Sequence, residues 1–293
     1  MKFLLQGMLL ASMMMASSAF ACSEDGTSGI VPENRMRIPV NAKRNGGINK
    51  EQFEKAIDDV EHVYAPIVSQ MGGTLKIIRN WEDPTVNAYA QRVGSEWRVS
   101  MFGGLARHET ITQDGMSLVV CHEIGHHIGG APRKVSPWSN PWASNEGQSD
   151  YWATAKCLRR VWNNENNAEV IKTMKIPAAL ASACGQQRRF RRDDVSLCIR
   201  AGMAGYSVAK LFQALGRDVE PKFETPDTKV VTATNDSHPA TQCRLDTYFQ
   251  GSVCEVSFNE DVDSADEVRG TCHPSLGHKK GLRPLCWFKP KAR

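Results

Sequence analysis

The sequence carries no strong excess of charge of either sign. Its 293 residues include 36 Lys and Arg against 32 Asp and Glu, a formal net charge of +4. Proteins that bind nucleic acid or anionic membranes through charge usually have clustered basic stripes and a more extreme balance. The composition therefore predicts no nucleic-acid partner. With 41% hydrophobic and 23% charged residues it is typical of a globular protein.

Long hydrophobic runs are missing after residue 21, and so are internal repeats and low-complexity segments. A transmembrane helix needs about 20 consecutive apolar residues, so we expect no membrane span in the rest of the chain. The apolar run at residues 3–15 follows the single charge of Lys2 and precedes Ala19-Phe20-Ala21. This order is typical of a secretory signal peptide of residues 1–21. It predicts an exported protein, in a bacterial periplasm or outside the cell.

Cysteines at C-x-x-C spacing are also missing, which argues against a zinc ribbon, although the chain has nine cysteines. In an exported chain we expect them to form disulfides, and an odd number leaves at least one thiol over. Cys22, the first residue after the predicted cleavage point, loosely fits a bacterial lipoprotein site. Either Cys22 carries a lipid anchor, as in an outer-membrane lipoprotein, or the mature chain keeps an unpaired thiol. The last four cysteines crowd the C-terminus and predict a stapled tail.

The mature chain divides into an extended leader of residues 22–47, a compact domain of residues 48–250 and a cysteine-rich C-terminal extension of residues 251–293. Apolar residues at helical spacing predict a mainly helical α+β fold. Helices are expected at 50–71, 114–127, 145–162, 168–174, 178–183 and 194–215, and strands at 74–78 and 96–102. Asn49 is a candidate N-cap. Strand 96–102 is expected at a cleft edge, where an extended substrate adds as a strand, with a plain core strand as the alternative.

A metal-ligand pattern lies within the helix expected at 114–127. Residues 122–126 read H-E-x-x-H. Two histidines four residues apart share one helical face, so both imidazoles can reach one metal ion, with Glu123 beside the open coordination position. The alternative is a helix with two surface histidines. The surrounding apolar residues instead predict a buried helix, in which histidines without partners would cost free energy.

A catalytic zinc needs a third protein ligand and an open position for water. The longer pattern with a third histidine six residues after the second fails, because Pro132 occupies that position. Glu146 and Asp150 start a predicted helix and offer a carboxylate ligand and an acceptor for the outer ring N–H of a ligand histidine. The alternative is two acids that the helix dipole favours in a first turn. The apolar residues that follow favour the ligand interpretation.

Four segments in order resemble a known family. They are Asn87 to Ala90 as N-A-[FY]-A, His122 to His126 as the zinc helix, Glu146 to Asp150 as E-x-x-x-D, and His238 to Arg244 as H-P-x-x-x-x-R. Together they resemble the gluzincin endopeptidases typified by the prenyl-protein processing endopeptidase and the bacterial heat-shock membrane protease, with their soluble periplasmic relatives. The resemblance covers about residues 85–250. It implies a zincin-like metalloprotease core with a small edge sheet.

The resemblance also implies roles for single residues. Three residues would hold one Zn²⁺ per chain: His122, His126 and Glu146. Glu123 would be the general base for the attacking water. His238 would stabilise the oxyanion of the tetrahedral intermediate, and Arg244 would position the local backbone or an acidic partner. A His-Pro dipeptide is also a common turn, so a structural role for His238 is the alternative.

Two departures from the membrane-bound relatives shape the expected function. The chain lacks their transmembrane helices, and it has cysteines within and beyond the core, so prenylated substrates are not implied. We therefore expect a soluble, exported zinc endopeptidase that hydrolyses peptide bonds of protein or peptide substrates. The alternatives are a non-catalytic, zinc-stabilised binding protein of the same fold, or a latent enzyme whose cleft is blocked by residues 22–47 or by the tail.

Overall fold

The computed structural model describes residues 29–43, 46–134, 142–187, 191–216 and 218–291. The predicted signal peptide and the lipid-anchor candidate Cys22 lie outside these ranges. Within them, no helix combines the length and the apolar character that a membrane span requires.

The first helix, α1 (Lys50–Gln70), begins where the sequence predicts it. Asn49 is its N-cap: its side chain accepts a hydrogen bond from Gln52 N at 2.8 Å, and Gln52 Oε1 accepts one from Asn49 N at 3.0 Å. This reciprocal pair satisfies two backbone donors that a helix start otherwise leaves unpaired. The helix ends before Gly72, whose φ of 84° is the left-handed conformation that glycine adopts without strain.

Three strands form the small sheet: β1 (Thr74–Asn80), β2 (Ala88–Val93) and β3 (Glu96–Phe102). Their order is β1-β3-β2, with β3 parallel to β1 and antiparallel to β2. The prediction that strand 96–102 lies at a cleft edge is therefore wrong, because β3 has a hydrogen-bonded neighbour on both sides. The two edge strands of the described sheet are β1 and β2, and β2 contains most of the N-A-Y-A segment.

Helices make up most of the remaining regular secondary structure in the described ranges, which confirms a mainly helical α+β fold. They are α2 (Gly103–Ala106), α3 (Gln113–Ile128), α4 (Glu146–Trp152), α5 (Leu158–Val161), α6 (Asn167–Ile171), α7 (Ala178–Gly185), α8 (Arg192–Gly216) and α9 (Thr241–Ser252). A π-helical turn, Ala153–Cys157, joins α4 to α5. Helix α9 was not predicted.

Helix α3 lies at the centre of the fold. It packs against α1, α4, α8 and β2. Every residue from Gly115 to His127 is buried, so both histidines of the H-E-x-x-H pattern are inside the protein. The interpretation as two surface histidines is therefore wrong.

Four disulfides confirm the expectation from the cysteine content. They join Cys121 to Cys157, Cys184 to Cys198, Cys243 to Cys286 and Cys254 to Cys272. The first ties α3 to the π-helical turn, next to the first histidine of the pattern. The last two staple the C-terminal tail, as the cysteine distribution predicts.

The tail packs on the helix that carries Glu146. A Cβ added to Gly147 would come within 2.2 Å of the Trp287 ring, so only glycine allows this close approach of tail and helix. Tyr151 donates a hydrogen bond to Gly281 O at 2.6 Å, and Cys272 N donates one to the Tyr151 hydroxyl at 3.2 Å. Residues 272–287 therefore help to fix the position of α4.

Replacing both Cys121 and Cys157 by Ala is expected to lower the free energy of unfolding by about 4 kcal/mol. Without the disulfide the unfolded chain regains the entropy that closing the loop between the two cysteines removes. The separation is 36 residues, against 14 for Cys184 and Cys198. The matched double variant of that shorter pair should lose only about 3 kcal/mol. Urea unfolding of the two variants measures both values. A smaller loss for the Cys121 pair than for the shorter loop would contradict the expectation.

Candidate metal centre

Helix α3 brings the two histidines of the pattern together. The rings of His122 and His126 lie 4.7 Å apart at an interplanar angle of 88°, and both residues are completely buried. A separation of four residues on a 3.6-residue helix places them one above the other. Their Nε2 atoms therefore face the same small volume.

Glu146, the first residue of α4, supplies a carboxylate to that volume. Its Oε2 lies 3.3 Å from His122 Nε2, and its Oε1 lies 3.7 Å from His126 Nε2. Asn145 fixes the helix start, since its side chain caps α4 by accepting a hydrogen bond from Gln148 N at 2.9 Å. The structure thus brings together the three predicted ligand residues, whose ligand atoms all lie within 4.8 Å of one another.

His122 is oriented by a chain of buried polar side chains. Its Nδ1 lies 2.7 Å from Asp150 Oδ1, as the sequence analysis proposes. Arg244 holds Asp150 through two hydrogen bonds of 2.7 and 2.8 Å, and the Tyr248 hydroxyl donates to Asp150 at 2.6 Å. The acidic partner left open for Arg244 is therefore Asp150. Tyr248 is not among the site residues predicted from the sequence, because helix α9 was not predicted.

His126 is oriented by the backbone. Its Nδ1 lies 2.8 Å from Ser144 O and 3.1 Å from Ser149 Oγ. A carbonyl oxygen only accepts, so Nδ1 carries the proton and Nε2 presents its lone pair to the Glu146 side. With Asp150 behind His122, the ring nitrogens facing away from Glu146 are engaged on both histidines.

Two of the three candidate ligand residues, Glu146 and His126, are held in the ionisation state that binds a metal. Burial opposes ionisation of Glu146, but His238 and Lys134 outweigh it and hold its pKa well below the usual range. Asp150 is also opposed by burial, but Arg244 and His122 hold its pKa at about 2. Burial lowers the pKa of His126 to about 3, so its ring is neutral at pH 7, the form that binds metals.

Glu123 lies beside the ligand residues and is fully buried. Neither of its carboxylate oxygens has a hydrogen-bond partner among the described residues. Burial raises its pKa to about 8, against the opposing charge of His122. A buried carboxyl group of this kind can take up and release a proton near neutral pH.

The three ligand atoms fit a metal ion. Ligand atoms about 2.1 Å from a tetrahedral ion lie roughly 3.4 Å apart. One oxygen of Glu146 lies 3.3 Å from His122 Nε2 and its other oxygen lies 3.7 Å from His126 Nε2, and both distances are close to that spacing. His126 Nε2 is buried without a hydrogen-bond partner among the described residues, a costly arrangement that a cation would relieve. His122, His126 and Glu146 could therefore hold a metal ion.

Two further side chains reach Glu146. Lys134 Nζ lies 3.0 Å from Oε1, a contact that no spacing in the sequence indicates. His238, predicted from the H-P pattern, lies with its Nε2 3.4 Å from Oε2 and 2.7 Å from Gly29 O. All the residues proposed for the site from sequence therefore converge on one centre.

Trp138 and Trp142 fall between the two predicted zinc segments of the sequence, a position that predicts either a wall of the cleft or simple loop packing. Trp142 stacks on His127 at 4.7 Å, and His127 stacks on Trp97 at 5.6 Å. Trp142 thus packs against the neighbour of a ligand histidine, which is loop packing. Trp138 lies outside the described residues.

Comparison with protein-family models, with curated proteins and with solved structures finds no match for this chain. The interpretation of its function therefore depends on the chemistry of the centre itself.

Proposed function

We propose that this protein is a zinc-dependent endopeptidase of the zincin type that hydrolyses peptide bonds of exported proteins. One observation carries the proposal: the buried carboxyl group of Glu123 lies beside a His122, His126 and Glu146 ligand set. Two imidazoles and one carboxylate are a donor set typical of catalytic zinc, which keeps a coordination position open. A zinc ion with a purely structural role would have no use for a neighbouring base.

The metal ligands and Glu123 have separate roles in the proposed hydrolysis. A zinc ion at the three ligands supplies Lewis acidity toward a water molecule and toward the peptide carbonyl. Glu123 accepts a proton from the attacking water as the C–O bond forms. It then donates this proton to the leaving nitrogen as the C–N bond breaks. The second proton of the water passes from the new carboxylic acid to the amine, so the products are a carboxylate and an ammonium group, and Glu123 is regenerated as a carboxylate.

Strand β2 is the candidate substrate strand. It is the edge of the described sheet on the side that packs against α3. An edge strand offers backbone donors and acceptors to an extended peptide. We propose that substrates bind by backbone hydrogen bonds along β2 beyond Ala88, whose carbonyl already accepts a hydrogen bond from Ile30 N.

The proposed location follows from two independent features. Residues 1–21 have the order of a signal peptide. The four disulfides form and persist in oxidising compartments. We propose an exported protein of the periplasm or the cell exterior.

Hydrolysis of casein or a quenched peptide by the protein from Cys22 onward tests the proposal. Zinc content is measured in the same preparation. Hydrolysis should be lost on chelation and restored by stoichiometric Zn²⁺. A protein that binds one zinc ion tightly but cleaves neither casein nor a broad peptide library would overturn the proposal and favour the binding-protein alternative.

Zinc binding itself should depend on Glu146. We expect Glu146→Gln to weaken zinc affinity by more than about a hundredfold, beyond the loss that an outer-shell substitution causes. Glu267→Gln is the matched control, since Glu267 is also buried but lies in the tail. Competition with a chromophoric chelator measures both affinities. Equal affinities in the two variants would remove Glu146 from the ligand set.

A further inference from the structure

The segment Gly29–Val31 is not the loosely attached leader that its composition suggests. Ile30 is 0% and Val31 is 1% exposed, and both belong to the main hydrophobic core together with Val86 and Ala88. Complete burial of two aliphatic side chains anchors the segment in the core, because it removes their apolar surface from water. It is therefore a fixed part of the folded domain.

Hydrogen bonds hold the segment against the start of β2. Asn87 Oδ1 accepts from Val31 N at 3.3 Å, and Asn87 Nδ2 donates to Val31 O at 3.2 Å. Ile30 N donates to Ala88 O at 3.1 Å. Asn87, the first residue of the N-A-Y-A segment, thus holds Gly29–Val31 against β2 through its side-chain amide.

Two consecutive carbonyl groups of the segment point to the metal centre. Gly29 O lies 2.7 Å from His238 Nε2, and Ile30 O accepts from Arg244 Nη1 at 2.5 Å. Because a carbonyl oxygen cannot donate, the Nε2 atom of His238 carries a proton and has no lone pair for a metal. Both side chains of the H-P-x-x-x-x-R pattern are held by neighbouring backbone groups.

These two side chains lead directly to the ligand residues. His238 Nε2 is 3.4 Å from Glu146 Oε2. Arg244 holds Asp150, which in turn lies 2.7 Å from His122 Nδ1. One side chain, His238, therefore connects the segment to Glu146, and two side chains, Arg244 and Asp150, connect it to His122.

We propose that Gly29–Val31 is a positioning segment of the metal centre, and that His238 acts through Glu146 rather than on the substrate. This inference rests on the zinc site of the proposed function. Through the carbonyls of Gly29 and Ile30, the segment holds His238 and Arg244 in the orientations that fix the ligand carboxylate and imidazole. A segment that merely blocked the cleft would not have its side chains in the hydrophobic core.

Gly29 offers a point at which the segment can be displaced. A Cβ at this position would lie 2.3 Å from Asn87 Oδ1 and 2.6 Å from Ala88 O, so Gly29→Ala must move the backbone. A Cβ at Gly185 would meet nothing within 4 Å, which makes Gly185→Ala the matched control. Asn87→Ala provides a second route, because it removes both side-chain hydrogen bonds to Val31.

Zinc affinity, measured by chelator competition, tests the inference without depending on turnover. We expect Gly29→Ala and Asn87→Ala each to weaken zinc binding about tenfold, the lower end of the losses seen when residues that orient metal ligands are changed. The control Gly185→Ala should leave zinc affinity unchanged. The ¹⁵N shifts of the His238 ring should show a protonated Nε2 in the parent protein and a changed signal in both variants. A purely structural role would leave that ring signal unaltered.

The outcomes separate this inference from the proposed function. Weakened zinc binding in a protein that cleaves no peptide supports the positioning segment and rejects the endopeptidase. Unchanged zinc affinity in both folded variants overturns the positioning segment, whatever the peptidase activity. Faster cleavage by Gly29→Ala at unchanged zinc affinity would also overturn it, because the segment would then be a plug of the cleft.

Discussion

The Glu123→Gln variant is expected to lose peptide hydrolysis by at least about a hundredfold while it keeps its zinc. Glutamine has nearly the size of glutamate, so the buried position beside the ligand residues remains filled. It cannot accept the proton of the attacking water or return it to the leaving amine. The ligand residues His122, His126 and Glu146 are untouched, so metal content should equal that of the parent protein.

The experiment compares zinc content, kcat and KM of this variant with those of Glu109→Gln, an exposed glutamate 13 residues before His122 in the sequence. The loss should fall on kcat, since the carboxylate acts on the proton in flight rather than on substrate binding. Cleavage at the parent rate by a zinc-loaded Glu123→Gln protein would show that another group is the base. Loss of zinc together with activity would show that Glu123 has a structural role in the centre.

The second large effect is expected from Arg244→Met, which should lower the free energy of unfolding by about 3–5 kcal/mol. Arg244 is 2% exposed and Asp150 is 0% exposed. Removing the guanidinium leaves a buried carboxylate whose remaining partners are the Tyr248 hydroxyl and the His122 ring. An uncompensated buried charge is costly because the protein interior solvates it poorly.

A double-mutant cycle with Asp150→Asn isolates the pair. Removing the charge of Asp150 as well should recover part of the lost stability, since no unpaired carboxylate remains. Arg200→Met is the control, because Arg200 is a buried arginine that pairs with Asp114 away from the centre. It should reduce stability without reducing zinc affinity, whereas Arg244→Met should reduce both. Additive losses in the cycle would mean that Arg244 and Asp150 do not stabilise each other.

Local features of the centre could be predicted from sequence. The spacing of His122 and His126 places both rings on one helical face in any α-helix, because the helix period is a local property. The same reasoning places Glu146 and Asp150 on one face of a helix that Asn145 caps. The capping of α1 by Asn49 is equally local. These predictions need no knowledge of which elements pack together.

Strand order and helix α9 could not be predicted in the same way. A strand is an edge or a centre only relative to the strands that pair with it, so the sequence could not show that β3 is the central strand. Helix α9 buries the polar residues Arg244 and Thr247, and its sequence therefore lacks the apolar stripe of a core helix. The pairing of the cysteines depends likewise on distances that spacing does not reveal.

The sequence by itself indicated the candidate ligand residues, the proposed base and the disulfide-forming character of the chain, since each follows from residue type and local spacing. Only the tertiary structure decided what surrounds them. Lys134 reaches Glu146 across 12 residues, and Gly29 reaches His238 across 209. The Gly29 contact forms because burial of Ile30 and Val31 fixes the N-terminal segment in place, and hydrophobic burial depends on the whole fold rather than on neighbouring residues.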